Sequence, residues 1–150
     1  MPFSLTSPAF GHGEPMPRRH AKEGENLSPA LAWTDPPAGT RSFALVVEDP
    51  DAPDGTFRHW AVFDIPPDQS SLAEGAPVAA FGRGVNDYGT DVYEGPNPPR
   101  DHGVHHYHFR LAAVDVPTLD LPLGATVLDV WEKAREHLLD EARLTGTYRR

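Results

Sequence analysis

Proline restricts this chain more than any other residue type, at 17 of 150 positions. Its ring fixes φ and removes a backbone donor, so strands and rigid loops are favoured over long helices. The two most informative prolines are Pro50 and Pro53. An apolar run, Phe43-Ala44-Leu45-Val46-Val47, leads into Glu48-Asp49-Pro50-Asp51-Ala52-Pro53, and a second run, His59-Trp60-Ala61-Val62-Phe63-Asp64-Ile65, begins a few residues later. Pro50 and Pro53 forbid further strand pairing, so the two runs are predicted as strands joined by a stiff turn. That connection brings Asp49 and His59 towards the same sheet edge. Two carboxylates, Asp49 and Asp51, and an imidazole at a rigid turn form a site-like arrangement. The alternative is a tight loop whose aspartates cap their own backbone N–H groups.

The first run is almost continuously apolar, as expected of a strand covered on both faces. A third strand is predicted over His105–Val114. Side chains alternate across a strand, so His105, Tyr107 and Phe109 share one face, and His106, His108 and Arg110 share the other. His102, just before Gly103, belongs to the preceding loop. The histidine-rich run looks metal-like, but zinc needs three or four ligands converging on one point, and alternation divides these. It is therefore read as strand faces, with no metal and no cofactor expected.

Short strands are predicted over Phe3–Ser7 and Leu31–Trp33, with irregular chain over Ala9–Lys22. From Asp68 to Pro99, glycines and prolines indicate a long loop, which Phe81, Tyr88 and Tyr93 should order. One helix is predicted near 126–142. Thr126 and Asp129 form a capping-box pattern, and Val127, Val130, Trp131, Ala134, Leu138 and Ala142 recur at helical spacing. Gly146 is expected to stop that helix.

The length indicates one domain over 1–150 with a real core. A formal net charge of −9 argues against a nucleic-acid partner. No apolar run is long enough to span a membrane. The N-terminus lacks the basic start and apolar core of a signal peptide, so a cytoplasmic location is expected. With no cysteine there is neither a disulfide framework nor thiolate chemistry. No Gly-x-Ser-x-Gly elbow, phosphate-binding loop or dinucleotide glycine motif occurs.

Read in order, Asp49-Pro50-Asp51-Ala52-Pro53, His59-Trp60, Gly95-Pro96-Asn97-Pro98-Pro99 and Gly103-Val104-His105-His106-Tyr107 resemble the phosphatidylethanolamine-binding protein family, in its bacterial Raf kinase inhibitor-like branch. Gly24–Trp33, Gly39–Leu45 and Glu141–Tyr148 agree, so the resemblance spans nearly the whole chain. It implies a mainly β fold, with a large central antiparallel sheet, a smaller second sheet and a few helices. It also implies an anion pocket at a sheet edge. The lining residues fall on Asp49, His59, His105 and Tyr107, and the backbone walls on Ala52, Pro53, Gly95, Pro98 and Pro99.

The expected function is non-catalytic binding of phosphate-bearing small molecules or phosphatidylethanolamine-like head groups. Action on a protein partner such as a kinase, and a homodimer, are further implications. Two departures bear on function: His106 stands where the family usually has arginine, and the chain ends at Arg150 without the C-terminal helix of eukaryotic members. Chemically, an aspartate beside a histidine fixes its tautomer and favours its charged form, so Asp49 would make His59 or His105 a cationic donor. Alternatively, Asp49 only caps the turn. The competing function is a small hydrolase or lyase using Asp49 and His59 as acid and base.

Overall fold

The computed structural model describes residues 2–150. The apolar runs become the long strands β4 (Ser42–Asp49), β5 (Phe57–Ile65) and β8 (His105–Val114). With β2 (Glu14–Pro15), β7 (Gly82–Arg83) and β9 (Leu138–Tyr148) they form a six-stranded sheet in the order β2-β9-β8-β4-β5-β7. Every pairing in it is antiparallel except that of β2 with β9. A second sheet, ordered β1-β3-β6, is built from β1 (Ser4–Thr6), β3 (Leu31–Thr34) and β6 (Ser71–Leu72). The two-sheet β architecture expected from the sequence is thus present, and the Ala9–Lys22 stretch contains β2 and a 3-10 turn at Arg18–His20.

The uniformly apolar character of β4 follows from its two covered faces. Phe43, Leu45 and Val47 join Leu5, Trp33, Phe109 and Leu111 in a core that includes the smaller sheet. Ala44 and Val46 face the other way, into a second core with Ala112, Val114 and the helix α1 (Val127–Glu136). Burying a large aliphatic or aromatic side chain fully stabilises a fold by about 1.5–3 kcal/mol. Both layers therefore hold the central strands firmly beneath their loops.

Helix α1 starts as its sequence demands. Thr126 Oγ1 accepts from the Asp129 N–H at 3.1 Å, and Asp129 Oδ2 accepts from the Thr126 N–H at 3.0 Å. Val127, Val130, Trp131 and Ala134 are its buried stripe. The helix ends at Glu136 rather than continuing to 142, and Leu138 and Ala142 belong to β9. A spacing of four satisfies both a helical period and strand alternation. The open edge of β8 decides between them, pairing with β9 from Val114↔Leu138 to His105↔Tyr148. Gly146 does not terminate a helix either. It lies within β9, where a Cβ would come within 2.8 Å of Phe10 Cε2 and crowd Met16.

Candidate functional site

Three adjacent strands deliver the site. The β4 end presents Asp49, β5 presents His59, and β8 presents His105 and Tyr107 on one face. All four are buried. His106 is exposed on the opposite face, where its backbone N–H and Nδ1 both reach Asp51 Oδ2, at 2.8 and 2.7 Å. His108, on that same outer face, pairs with Thr145 Oγ1 at 2.8 Å. Asp51 thus clips the turn to β8 outside the site. Burial alone would raise its pKa, but the hydrogen bonds and charge of His106 hold it below the usual carboxylate value.

Asp49 both caps the turn and holds a histidine. Its Oδ1 accepts from the Asp51 N–H at 2.8 Å and caps the turn, while Oδ2 accepts from His105 Nδ1–H at 2.7 Å. With Nδ1 so engaged, the lone pair of a neutral His105 lies on Nε2. That atom meets His102 Nδ1 at 2.6 Å. His59 is separately held, donating Nδ1–H to the Glu94 carbonyl at 2.8 Å. Asp49 and His59 are therefore each bonded elsewhere and not to one another. The expected charging of His59 by Asp49 is also corrected. Burial disfavours its cation and lowers its pKa, outweighing the Glu94 carbonyl and the Asp49 charge. Burial, reinforced by Asp49, raises the Tyr107 phenol and keeps it protonated.

These residues line a cavity of about 490 Å³, together with Ala52, Pro53, Pro98 and Pro99. Gly95 is placed behind the wall instead. Its N–H donates to Asn26 Oδ1 at 2.7 Å, and a Cβ there would overlap the His20 carbonyl oxygen. The lining also includes Asp54, Phe57, Asp87, Tyr88 and Asn97, which sequence reasoning did not assign to the site. Phe57 packs edge-on to Tyr88 with centroids 4.8 Å apart, and His59 stands 5.4 Å from Tyr107. Among the described residues the lining carries three carboxylates, two imidazoles and no lysine or arginine.

Two further residues hold the wall in place. Glu94 is fixed by Lys22 Nζ and Asn26 Nδ2, each at 2.9 Å. Burial would raise its carboxyl, but those donors bring it below the normal value. Asn86, buried beneath the loop, accepts from the N–H groups of Tyr88 and Thr90. Its amide donates to Thr90 Oγ1 and to the carbonyls of Val92 and His59. The only sequence hint of this hub is the Asn86-Asp87-x-Gly89 turn chemistry.

The phosphatidylethanolamine-binding protein family model matches residues 6–149. The chain is 46% identical to a UPF0098 protein of Methanothermobacter thermautotrophicus over 99% of both chains. It is 43% identical to one from Aquifex aeolicus, covering 99% of this chain and 89% of that one. The crystal structure of Escherichia coli YbcL, described as a member of the mammalian PEBP family, superposes with a TM-score of 0.90 at 30% identity, covering 99% of this chain and 98% of that one. With the family pattern running through strand, turn and cavity residues alike, the chain belongs to the phosphatidylethanolamine-binding protein family.

Proposed function

We propose that the cavity binds, without turnover, small phosphate esters that also carry a cationic end, with phosphorylethanolamine as the type. Family membership supports small-ligand binding in general. The observation that carries the finer reading is the mixed polarity of the lining. The protonated Tyr107 phenol and the Asn97 amide offer donors to phosphate oxygens, and His105, oriented by Asp49, adds an Nε2–H when it is the imidazolium and turns from His102 to the ligand. Asp54 and Asp87, which line the same cavity, suit an ammonium group. A bare dianion would gain the donors but would meet the three lining carboxylates. A zwitterion uses both halves of the cavity. The rigid proline frame limits the ordering cost of binding.

Calorimetry with phosphorylethanolamine, phosphorylglycerol, ethanolamine and inorganic phosphate tests this. Phosphorylethanolamine should bind tightest, and His105→Ala should weaken it roughly ten- to a hundredfold through loss of a charge-assisted hydrogen bond. Equal affinity for phosphorylglycerol would remove the role of the carboxylates. No binding of any of the four would remove the reading altogether. The same samples, assayed for released phosphate, should show no turnover.

A further inference from the structure

We propose that His102 is a built-in competitor for the ligand's phosphate. It occupies the donor position of His105 in the free protein and must be displaced before that position can serve a ligand. This rests on the function proposed above and names the residue that limits it.

Asp49 and His105 fix one half of the contact. The buried carboxylate takes the Nδ1–H of the buried His105 at 2.7 Å, and the Asp51 N–H, donated to Asp49 Oδ1 at 2.8 Å, ties that carboxylate to its turn. With Nδ1 committed, Nε2 is the one ring nitrogen that His105 has left for a ligand. That nitrogen is already engaged. His102 Nδ1 stands 2.6 Å from it, with the two rings inclined at 61°. One proton lies between the facing nitrogens, and the bond is complete whichever ring carries it. A phosphate oxygen therefore does not meet an idle donor. It exchanges one partner of His105 for another.

Burial decides which partner yields. His105 is 1% exposed and sits on β8. His102 is exposed, in the turn that follows the wall residues Pro98 and Pro99, between Asp101 and Gly103 with φ of 61° and 96°. That turn is held through its backbone. The His102 N–H donates to the Pro99 carbonyl at 3.2 Å, and the Asp101 N–H to the Arg150 carbonyl at 3.3 Å. The His102 ring can thus rotate into water while the turn keeps its own hydrogen bonds. Charge favours the exchange, because a hydrogen bond to an anionic oxygen is about twice as strong as one between neutral groups. Every ligand that places an anionic oxygen on His105 must first break the histidine pair. A ligand without such an oxygen leaves the pair intact.

Phosphorylethanolamine and ethanolamine are titrated by calorimetry into wild type, His102→Ala, His105→Ala and the double variant. His102→Ala should bind phosphorylethanolamine roughly two- to tenfold more tightly, the equivalent of one hydrogen bond that no longer has to be broken. Ethanolamine should not distinguish the two forms, whereas a general loosening of the turn would alter both ligands. In the His105→Ala background, removal of His102 should change nothing. Equal or weaker phosphorylethanolamine binding by His102→Ala, or a gain that persists without His105, overturns the competitor and keeps the cavity reading. Nitrogen NMR reads the contact itself. Coupling between His102 Nδ1 and His105 Nε2 across their hydrogen bond should be present in the free protein and lost at saturation with phosphorylethanolamine. Coupling that survives saturation likewise overturns the competitor alone. Phosphorylethanolamine that binds neither wild type nor His102→Ala removes the proposed function and the competitor together.

Discussion

Replacing Asn86 by alanine should destabilise the protein and loosen the cavity together. The side chain makes contacts of 3.2, 2.9 and 2.8 Å through its amide nitrogen and 3.0 and 3.1 Å through its oxygen. It is buried, so alanine leaves several main-chain groups without a partner and without ready access to water. A hydrogen bond contributes about 1 kcal/mol net, and an orphaned buried group costs about 1–3 kcal/mol. Some of the freed groups will recover water at the exposed loop, so a total near ~3–4 kcal/mol is expected. For a chain of this size each kcal/mol shifts Tm by about 2–4 °C, which gives a fall of roughly 10 °C by calorimetry. Asn86→Asp separates hydrogen bonding from volume. It keeps acceptors for Tyr88 and Thr90 but turns an oxygen towards the carbonyls of His59 and Val92, so at neutral pH it should be no more stable than the alanine variant. Because the hub carries both His59 and Tyr88, phosphorylethanolamine affinity should fall in the folded variant as well. A Tm within roughly 2 °C of wild type, or an aspartate variant clearly more stable than alanine, would refute the reasoning.

Gly95→Ala should be severely destabilising, by about 3 kcal/mol or more, because the obstructing atom is a backbone carbonyl that cannot rotate away; near-native chemical unfolding would contradict the packing described. Stability should also decline on mild acidification. The folded-state pKa of His59 lies below its unfolded value of 6.5, so the unfolded chain binds more protons as pH falls through that value, and folding weakens. Below about pH 5, the depressed carboxyls of Asp51, Glu94 and Glu141 add a second loss as pH falls towards their folded values. Thermal melts across this range should show a shallower slope near pH ~6 for His59→Gln than for wild type, and equal slopes would exclude His59 as the source.

Much of the scaffold is legible in the sequence because its signals are local. The bounds of β8 follow from a continuous run of strand-forming residues. The β4–β5 turn follows from Pro50 and Pro53, and the start of α1 from a capping box closed within four residues. Alternation alone separates His105 and Tyr107 from His106 and His108. The end of α1 was not legible, because Leu138 and Ala142 fit helix and strand equally, and only β8's need for a partner settles them. The cavity wall was less legible still. His59 meets the carbonyl of Glu94, which lies 35 residues on, and Glu94 meets Asn26 across 68 and Lys22 across 72. Such contacts leave no period in the chain. A loop's hydrogen-bonding groups are satisfied by whichever segments the folded sheets bring alongside, so Asn86, Glu94, Tyr88 and His102 acquire their places only in the tertiary structure.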